Sequence, residues 1–294
     1  MSETGGYRPP AAPVHAAPVP PRPARARPTP ARRRRSGPRK LPSRPVLVLM
    51  QLVVLAMLFL LWWAAVKAGV LAEFFFGNPL LVLDQVAEWF GSGEIFTHLA
   101  ATLSETVLAF IAGVVLGVAA GLWLGLSALT AALLDPFIKA LNAMPRVILG
   151  PIFVVWFGLG IWSKVALGIT LVFFVVFFNV FQGVREVSPV ILANARMLGA
   201  SRQQLLRTVY IPSATSWVFS SLHTSVGMAF VGAVVGEYLG SARGVGYLIL
   251  QAESTFDVNA VFAGILVLTV FALLLDTAVT LVERGLVAHR QPAG

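Results

Sequence analysis

PVILANARMLGASRQQLLRTVYIP, residues 189–212, is a polar, basic helix–Gly–helix segment set between two long apolar runs. Ser188 followed by Pro189 reads as an N-cap with proline at the first helical position, where its missing N–H costs nothing. Gly199 supplies the left-handed residue that ends this short helix. Ser201 and Gln204 make an S-x-x-Q capping box that opens a second helix, which Pro212 is expected to help close. A capped elbow between apolar runs predicts a membrane protein with a rigid protrusion that grips something soluble.

Composition agrees. Of 294 residues, 57% are hydrophobic and 12% charged, against roughly 25% charged in a soluble domain. Several apolar runs reach the ~20 residues needed to cross the hydrocarbon core. The reading is an all-α membrane protein with spans at about 46–67, 99–126, 137–158, 164–182, 213–236 and 259–282. The first run, Val46–Val66, exceeds a signal-peptide h-region of ~7–15 residues and is expected to be a retained helix. Absence of cysteine excludes disulfides and thiolate metal sites, and His15, His98, His223 and His289 show no ligand spacing, so no metal is expected.

Charge divides the chain. Residues 1–45 hold 11 of the 22 Lys+Arg and 1 of the 13 Asp+Glu, so the remainder is close to neutral against +9 overall. This Pro/Ala/Arg-rich tail is expected to be disordered, acting as a topology determinant resting on anionic lipid rather than as a nucleic-acid binder. The 46–290 stretch is the transmembrane domain. Its 68–98 connection carries Glu73, Asp84, Glu88 and Glu94 and no basic residue, which places it outside, with Asp84–Phe90 as a short amphipathic surface helix. The 185–212 elbow has Arg185, Arg196, Arg202 and Arg207 against Glu186, which places it in the cytoplasm; Arg284 and Arg290 do the same for the C-terminus. Two cytoplasmic termini require an even number of crossings, in accord with six.

Pro145 and Pro151 interrupt the third span, which is either kinked or a discontinuous helix facing a cavity. Gly113, Gly117, Gly121 and Gly125 recur every four residues, and Gly232, Gly236 and Gly240 repeat the device, so these faces pack on protein. GLGIWSKV (158–165) approximates a phosphate loop, but Ser163 and Val165 occupy positions that need Gly and Ser/Thr, so no ATP site is expected. Polar residues within spans face an interior or an aqueous path. The candidates for a translocation path are Asn142, Arg146, Asn179, Gln182 and His223. Arg146 either attracts an anionic substrate or lies near the membrane face, snorkelling or pairing with Asp135, whereas Glu105 and Asp276 read as helix-packing or near-interface groups. No carboxylate pair or nucleophile–base set stands out, so the chain is not expected to be an enzyme.

Residues 193–212 resemble the cytoplasmic coupling motif of permease subunits in bacterial ABC importers: E-A-A, three residues, Gly, nine residues, Ile-x-Leu-Pro. Ala195 matches the second alanine, Gly199 the glycine, Val209 and Ile211 the aliphatic pair and Pro212 the proline; Ala193 and Asn194 stand where glutamate and the first alanine are usual. LLDPFIKALNAMPRVILGPIFVVWFGLG (133–160), GVREVSP (183–189), GASRQQLLRTVYIPSA (199–214) and GEYLGSARGVGYLI (236–249) look like the branch importing nitrate, taurine, alkanesulfonates and thiamine-precursor pyrimidines. The resemblance covers about Asn78 to Arg290.

This resemblance implies the six-helix permease core of a type I importer, in the bacterial inner membrane. It implies a second permease copy sharing the pathway, and two separate ATPase subunits that use ATP and Mg. Those subunits would grip the elbow through Pro189, Ala193, Ala195, Arg196, Gly199, Ala200, Ser201, Gln204, Val209 and Pro212. An extracytoplasmic solute-binding protein would meet loops 68–98 and 237–258. A self-sufficient secondary transporter or channel would need ionisable residues buried at midplane for ion coupling, of which the sequence shows few, or a selectivity-filter loop, of which it shows none recognisable. A scaffold explains the caps but not the motif spacing. Deleting residues 1–40 is expected to leave solute uptake intact in correctly inserted protein while disturbing insertion topology. Uptake assays paired with protease accessibility check this; complete loss of uptake in correctly inserted protein would assign the tail a further role.

Overall fold

The computed structural model describes residues 43–288. All but the last three residues of the basic tail, with His15, His289 and Arg290, lie outside that range. Residues 1–51 and 52–294 form separate units. Of the first, only 43–51 are described, and they enter α1 (Arg44–Lys67); the packed architecture belongs to residues 52–288. The chain continues through α2 (Glu73–Phe76), α3 (Pro79–Ser92), α4 (Glu94–Leu126), α5 (Ala128–Ala143), α6 (Gly150–Phe157) and α7 (Ile161–Arg185). It ends with α8 (Pro189–Met197), α9 (Arg202–Leu205), α10 (Ile211–Leu239), α11 (Val245–Ser254) and α12 (Val258–Ala288). No strand occurs among the described residues. Among the described residues, five helices are long and apolar enough to cross a membrane, and the bent pair α5–α6 makes a sixth stretch.

The centre is a three-helix contact of α4, α7 and α10. Gly113, Gly117, Gly121 and Gly125 on α4 face Val172, Val176, Val180 and Val184 on α7, both rows stepping by four residues. A Cβ on Gly117 would lie 2.8 Å from Val176 Cβ and 2.9 Å from the Phe173 carbonyl oxygen, closer than atoms pack. Between α7 and α10, Gly168 meets Gly232 and Gly236 lies against Lys164. Gly240 departs from the expected stripe, because it caps the end of α10 instead of continuing its face.

A second cluster joins α3, the start of α4, α11 and α12 through Val82, Trp89, Ile95, Val245, Leu248 and Ala263. Trp62 of α1 packs against it, with its Nε1 donating to the Phe76 carbonyl at 3.2 Å and its ring 5.6 Å from that of Phe262. Asn78 caps α3 by accepting from Leu80 N, while its own N–H donates to Asn259 Oδ1 at 2.7 Å. The stretch read as a short surface helix is therefore part of a 14-residue α3, whose Trp89 is buried in this cluster. Outward faces carry Leu60, Leu61, Val115, Leu273 and Leu274, an apolar shell suited to lipid.

The third apolar stretch is discontinuous rather than kinked. Met144 is extended, as a residue before proline must be, and ends α5. A tight turn, Arg146–Leu149, comes next, and α6 leaves at 84° to α5.

A larger difference lies at Pro212, which does not close the elbow's second helix. Arg202–Leu239 forms one 38-residue apolar helix. The Leu206–Tyr210 turn widens to a π turn, and Ile211 N–H donates to Leu206 five residues back. Proline lacks the N–H and crowds the carbonyl four residues earlier; one wide turn absorbs both defects without stopping the helix.

Gly117→Ala is expected to destabilise the protein by about 1–3 kcal/mol, because backbone rather than a flexible side chain receives the added methyl. Gly91→Ala on α3 has open space around it and is expected to be neutral or mildly stabilising. Thermal melting in detergent compares the two; equal melting points would mean that the glycine face is not a close contact.

Candidate functional site

The elbow is built from short-range hydrogen bonds. Pro189 occupies the first turn of α8, but Ser188 makes no side-chain cap bond, so the proline's preset φ starts this helix without the expected serine cap. Gly199 ends it at φ +81°. Its N–H donates to Arg196 O and Ala200 N–H donates to Ala195 O, both at 3.0 Å, which is a complete Schellman closure. The capping box is reciprocal: Ser201 N–H donates to Gln204 Oε1 at 2.7 Å, and Gln204 N–H donates to Ser201 Oγ at 3.3 Å. Ala195 and Ala200 are half-buried, whereas Ala193 and Arg196 are exposed. Val209 sits in the π turn and Pro212 just after it.

Apolar side chains crowd the tip. Val190, Ile191, Met197 and Leu198 are all exposed, Leu198 at 89%. Large apolar residues exposed together on a basic segment are the kind of feature that marks an interaction surface. Because α9 runs through the π turn into α10, and α10 is seated on α7 and α4, the elbow joins the core without a flexible hinge.

The five path candidates do not converge. Asn142 and Arg146 come together at the break: Arg146 donates to the Asn142 side chain and, at 3.2 Å, to its carbonyl. The guanidinium lies over the Phe174 ring at 4.4 Å. Asp135 instead pairs with Lys139 at 2.6 Å, so the expected Arg146–Asp135 alternative does not form. Asn179 donates to Val175 O, and Gln182 to Glu186. His223 stands apart on α10, its two ring nitrogens each 3.0 Å from a carboxylate of α12, Asp276 and Glu283. Asp276 thus serves the helix contact read for it, with His223 as its partner.

One buried group escaped the sequence reading. Lys164 and Glu237 are both fully buried. Thr102 Oγ1 lies 2.6 Å from Glu237 Oε1, and Gly246 N–H donates to Glu237 Oε2 at 2.8 Å. Val245 N–H donates to Thr102 Oγ1, and Gly244 N–H to His98 Nδ1. Lys164 Nζ donates to the Leu159 and Gly160 carbonyls, and Glu105 lies beside both Glu237 and Lys164. The lysine of the phosphate-loop near-match is thereby engaged by backbone carbonyls. This cluster clasps the α10–α11 turn to α4 and α7 through hydrogen bonds to groups buried between the helices. The signal available in the sequence was three ionisable residues in or beside apolar runs. Their convergence was not visible there.

Residues 113–288 match the family of binding-protein-dependent transport system inner membrane components. A Bacillus subtilis protein carrying the name aliphatic sulfonates transport permease SsuC is 34% identical over 253 residues, covering 86% of this chain and 92% of its own. The Escherichia coli taurine transport system permease protein TauC is 30% identical over 244 residues, covering 81% and 89%. In three dimensions the chain is similar to an inward-facing structure of the MetNI methionine ABC transporter, with a TM-score of 0.57 at 17% identity, covering 65% of this chain and 95% of that one. Capped elbow, glycine-packed core and these likenesses agree: the chain belongs to the binding-protein-dependent inner membrane components, as an ABC importer permease of the sulfonate, taurine and thiamine-precursor branch.

Proposed function

We propose that this chain is a passive gate, moved by two separate ATPase subunits that bind ATP and Mg and clasp the 185–212 elbow from the cytoplasm. A second permease copy shares the pathway, and an extracytoplasmic solute-binding protein delivers cargo to the opposite face. In this reading both termini are cytoplasmic and the chain crosses six times. The elbow residues Pro189, Ala193, Ala195, Arg196, Gly199, Ala200, Ser201, Gln204, Val209 and Pro212 form the coupling surface.

The observation that carries this reading is mechanical. At ~1.5 Å per residue, the single helix from Arg202 to Leu239 is about 57 Å long, well beyond the ~30 Å hydrocarbon core. One end is stapled to the elbow by the Ser201–Gln204 box and the other is clasped through Glu237. A push on the elbow is therefore delivered to the packed spans as a rigid-body motion rather than absorbed in a loop.

The cargo in this reading is a small anion of the sulfonate, taurine or nitrate kind, or a thiamine-precursor pyrimidine. Sulfonate and taurine appear in the names of relatives at 34% and 30% identity. Arg146, held by Asn142 over an aromatic ring at the helix break, adds a fixed positive charge where the backbone is discontinuous, a device suited to an anion path. Asn179, Gln182 and His223 complete the path candidates.

The test is Gly199→Val in the full complex. A β-branched residue at this positive φ costs ~1–3 kcal/mol of strain and would unmake the Schellman closure. Solute uptake is expected to fall at least tenfold with the protein still inserted, and Gly199→Asn, which tolerates the same backbone, is expected to retain most of it. Wild-type uptake by Gly199→Val would sink the coupling role, and repeated failure of an ATPase to co-purify with the wild type would sink the assembly.

A further inference from the structure

Beside the elbow is a cavity of about 520 Å³ whose polar lining is basic or neutral. Arg196 closes one side from the last turn of α8, and Arg202 and Gln203 come from the first turn of α9. Tyr210 enters from the π turn, and Leu126, the last residue of α4, completes the wall. No carboxylate lines it, and neither arginine forms an ion pair among the described residues.

We infer that this cavity is a site for a phosphate-type oxoanion. Two guanidinium groups offer planar forks of N–H donors that match the paired oxygens of a tetrahedral anion. A side-chain amide and a phenol on the same wall can add neutral bonds. Two unpaired cations beside one cavity repel each other, and an anion bound between them removes that repulsion. The place also narrows the source. Leu126 ends a helix long and apolar enough to cross a membrane, so the cavity adjoins the end of a span, where an anionic phospholipid and a soluble phosphate are the two sources of such an anion. Its walls come from α4, α8, α9 and the π turn, so an occupant braces the elbow against the end of a span. The inference rests on the elbow being the coupling surface only for its consequence; the binding itself does not.

The experiment uses the full chain, purified, with inorganic phosphate titrated against chloride at matched ionic strength and binding read as a rise in melting temperature. In parallel, native mass spectrometry compares retention of phosphatidylglycerol with that of phosphatidylcholine. Wild type is expected to show phosphate-specific stabilisation, selective phosphatidylglycerol retention, or both. Arg202→Gln is expected to weaken the effect at least tenfold, Arg202→Lys to restore part of it, and Tyr210→Phe to weaken it less. Phosphate stabilisation that phosphatidylglycerol does not displace assigns a soluble oxoanion; selective lipid retention that phosphate does not displace assigns a headgroup. The proposal is overturned if phosphate acts no differently from chloride and phosphatidylglycerol is not selected, or if Arg202→Gln binds as wild type does. ATPase co-purification, scored separately, reports on the coupling assembly alone.

Discussion

The contact of the α4 glycine face with the α7 valine row is the constraint on which every other contact is built. In lipid the hydrophobic effect gives little reason for one apolar helix to prefer another over an acyl chain, so association depends on close packing. Gly113, Gly117, Gly121 and Gly125 remove the side chains that would hold α4 away, and Val172, Val176, Val180 and Val184 fill the space. Valine suits this role because its χ1 is already restricted in a helix, so little rotamer freedom is lost on contact. The same logic seats α10 through Gly168 and Gly232.

On that core the elbow is held through one continuous helix. Had Pro212 ended a helix, α9 would hang from a loop and the elbow could move without the spans. The π turn at Leu206–Tyr210 keeps the helix continuous at the cost of one irregular turn. Rigidity at the tip has a separate origin in the Schellman closure at Gly199 and the Ser201–Gln204 box, which satisfy backbone groups that helix ends otherwise leave open. Met197 and Leu198 stay exposed at the tip.

The opposite end of α10 is fixed by a different kind of interaction. Glu237 accepts from the first turn of α11, and its burial beside Lys164 and Glu105 brings α4, α7, α10 and α11 to one point. Apolar packing alone specifies rotation about a helix axis weakly, because leucine and valine faces tolerate slippage. A buried hydrogen-bonded cluster tolerates less, since each displaced partner leaves a buried polar group unsatisfied. Arg146 plays a lesser version of this part at the α5–α6 break, where Asn142 and the Phe174 ring hold it.

Much of this could be read along the chain, because the relevant physics is local or periodic. Run lengths in lipid, the four-residue glycine interval, the left-handed Gly199 and the Ser201–Gln204 box each depend on residues a few positions apart, and the motif spacing from Ala195 to Pro212 did the same for the family. At Ser188 and Pro212 the local rule is incomplete. Proline's φ sufficed at one, and an i−5 hydrogen bond absorbed the other. Only the tertiary structure decided which distant residues meet: Lys164 with Glu237, His223 with Asp276 and Glu283, Arg196 and Arg202 with the end of α4. Periodicity tells which face of a helix is buried, but not its partner or its depth along that partner, and the chemistry of charged side chains depends on both.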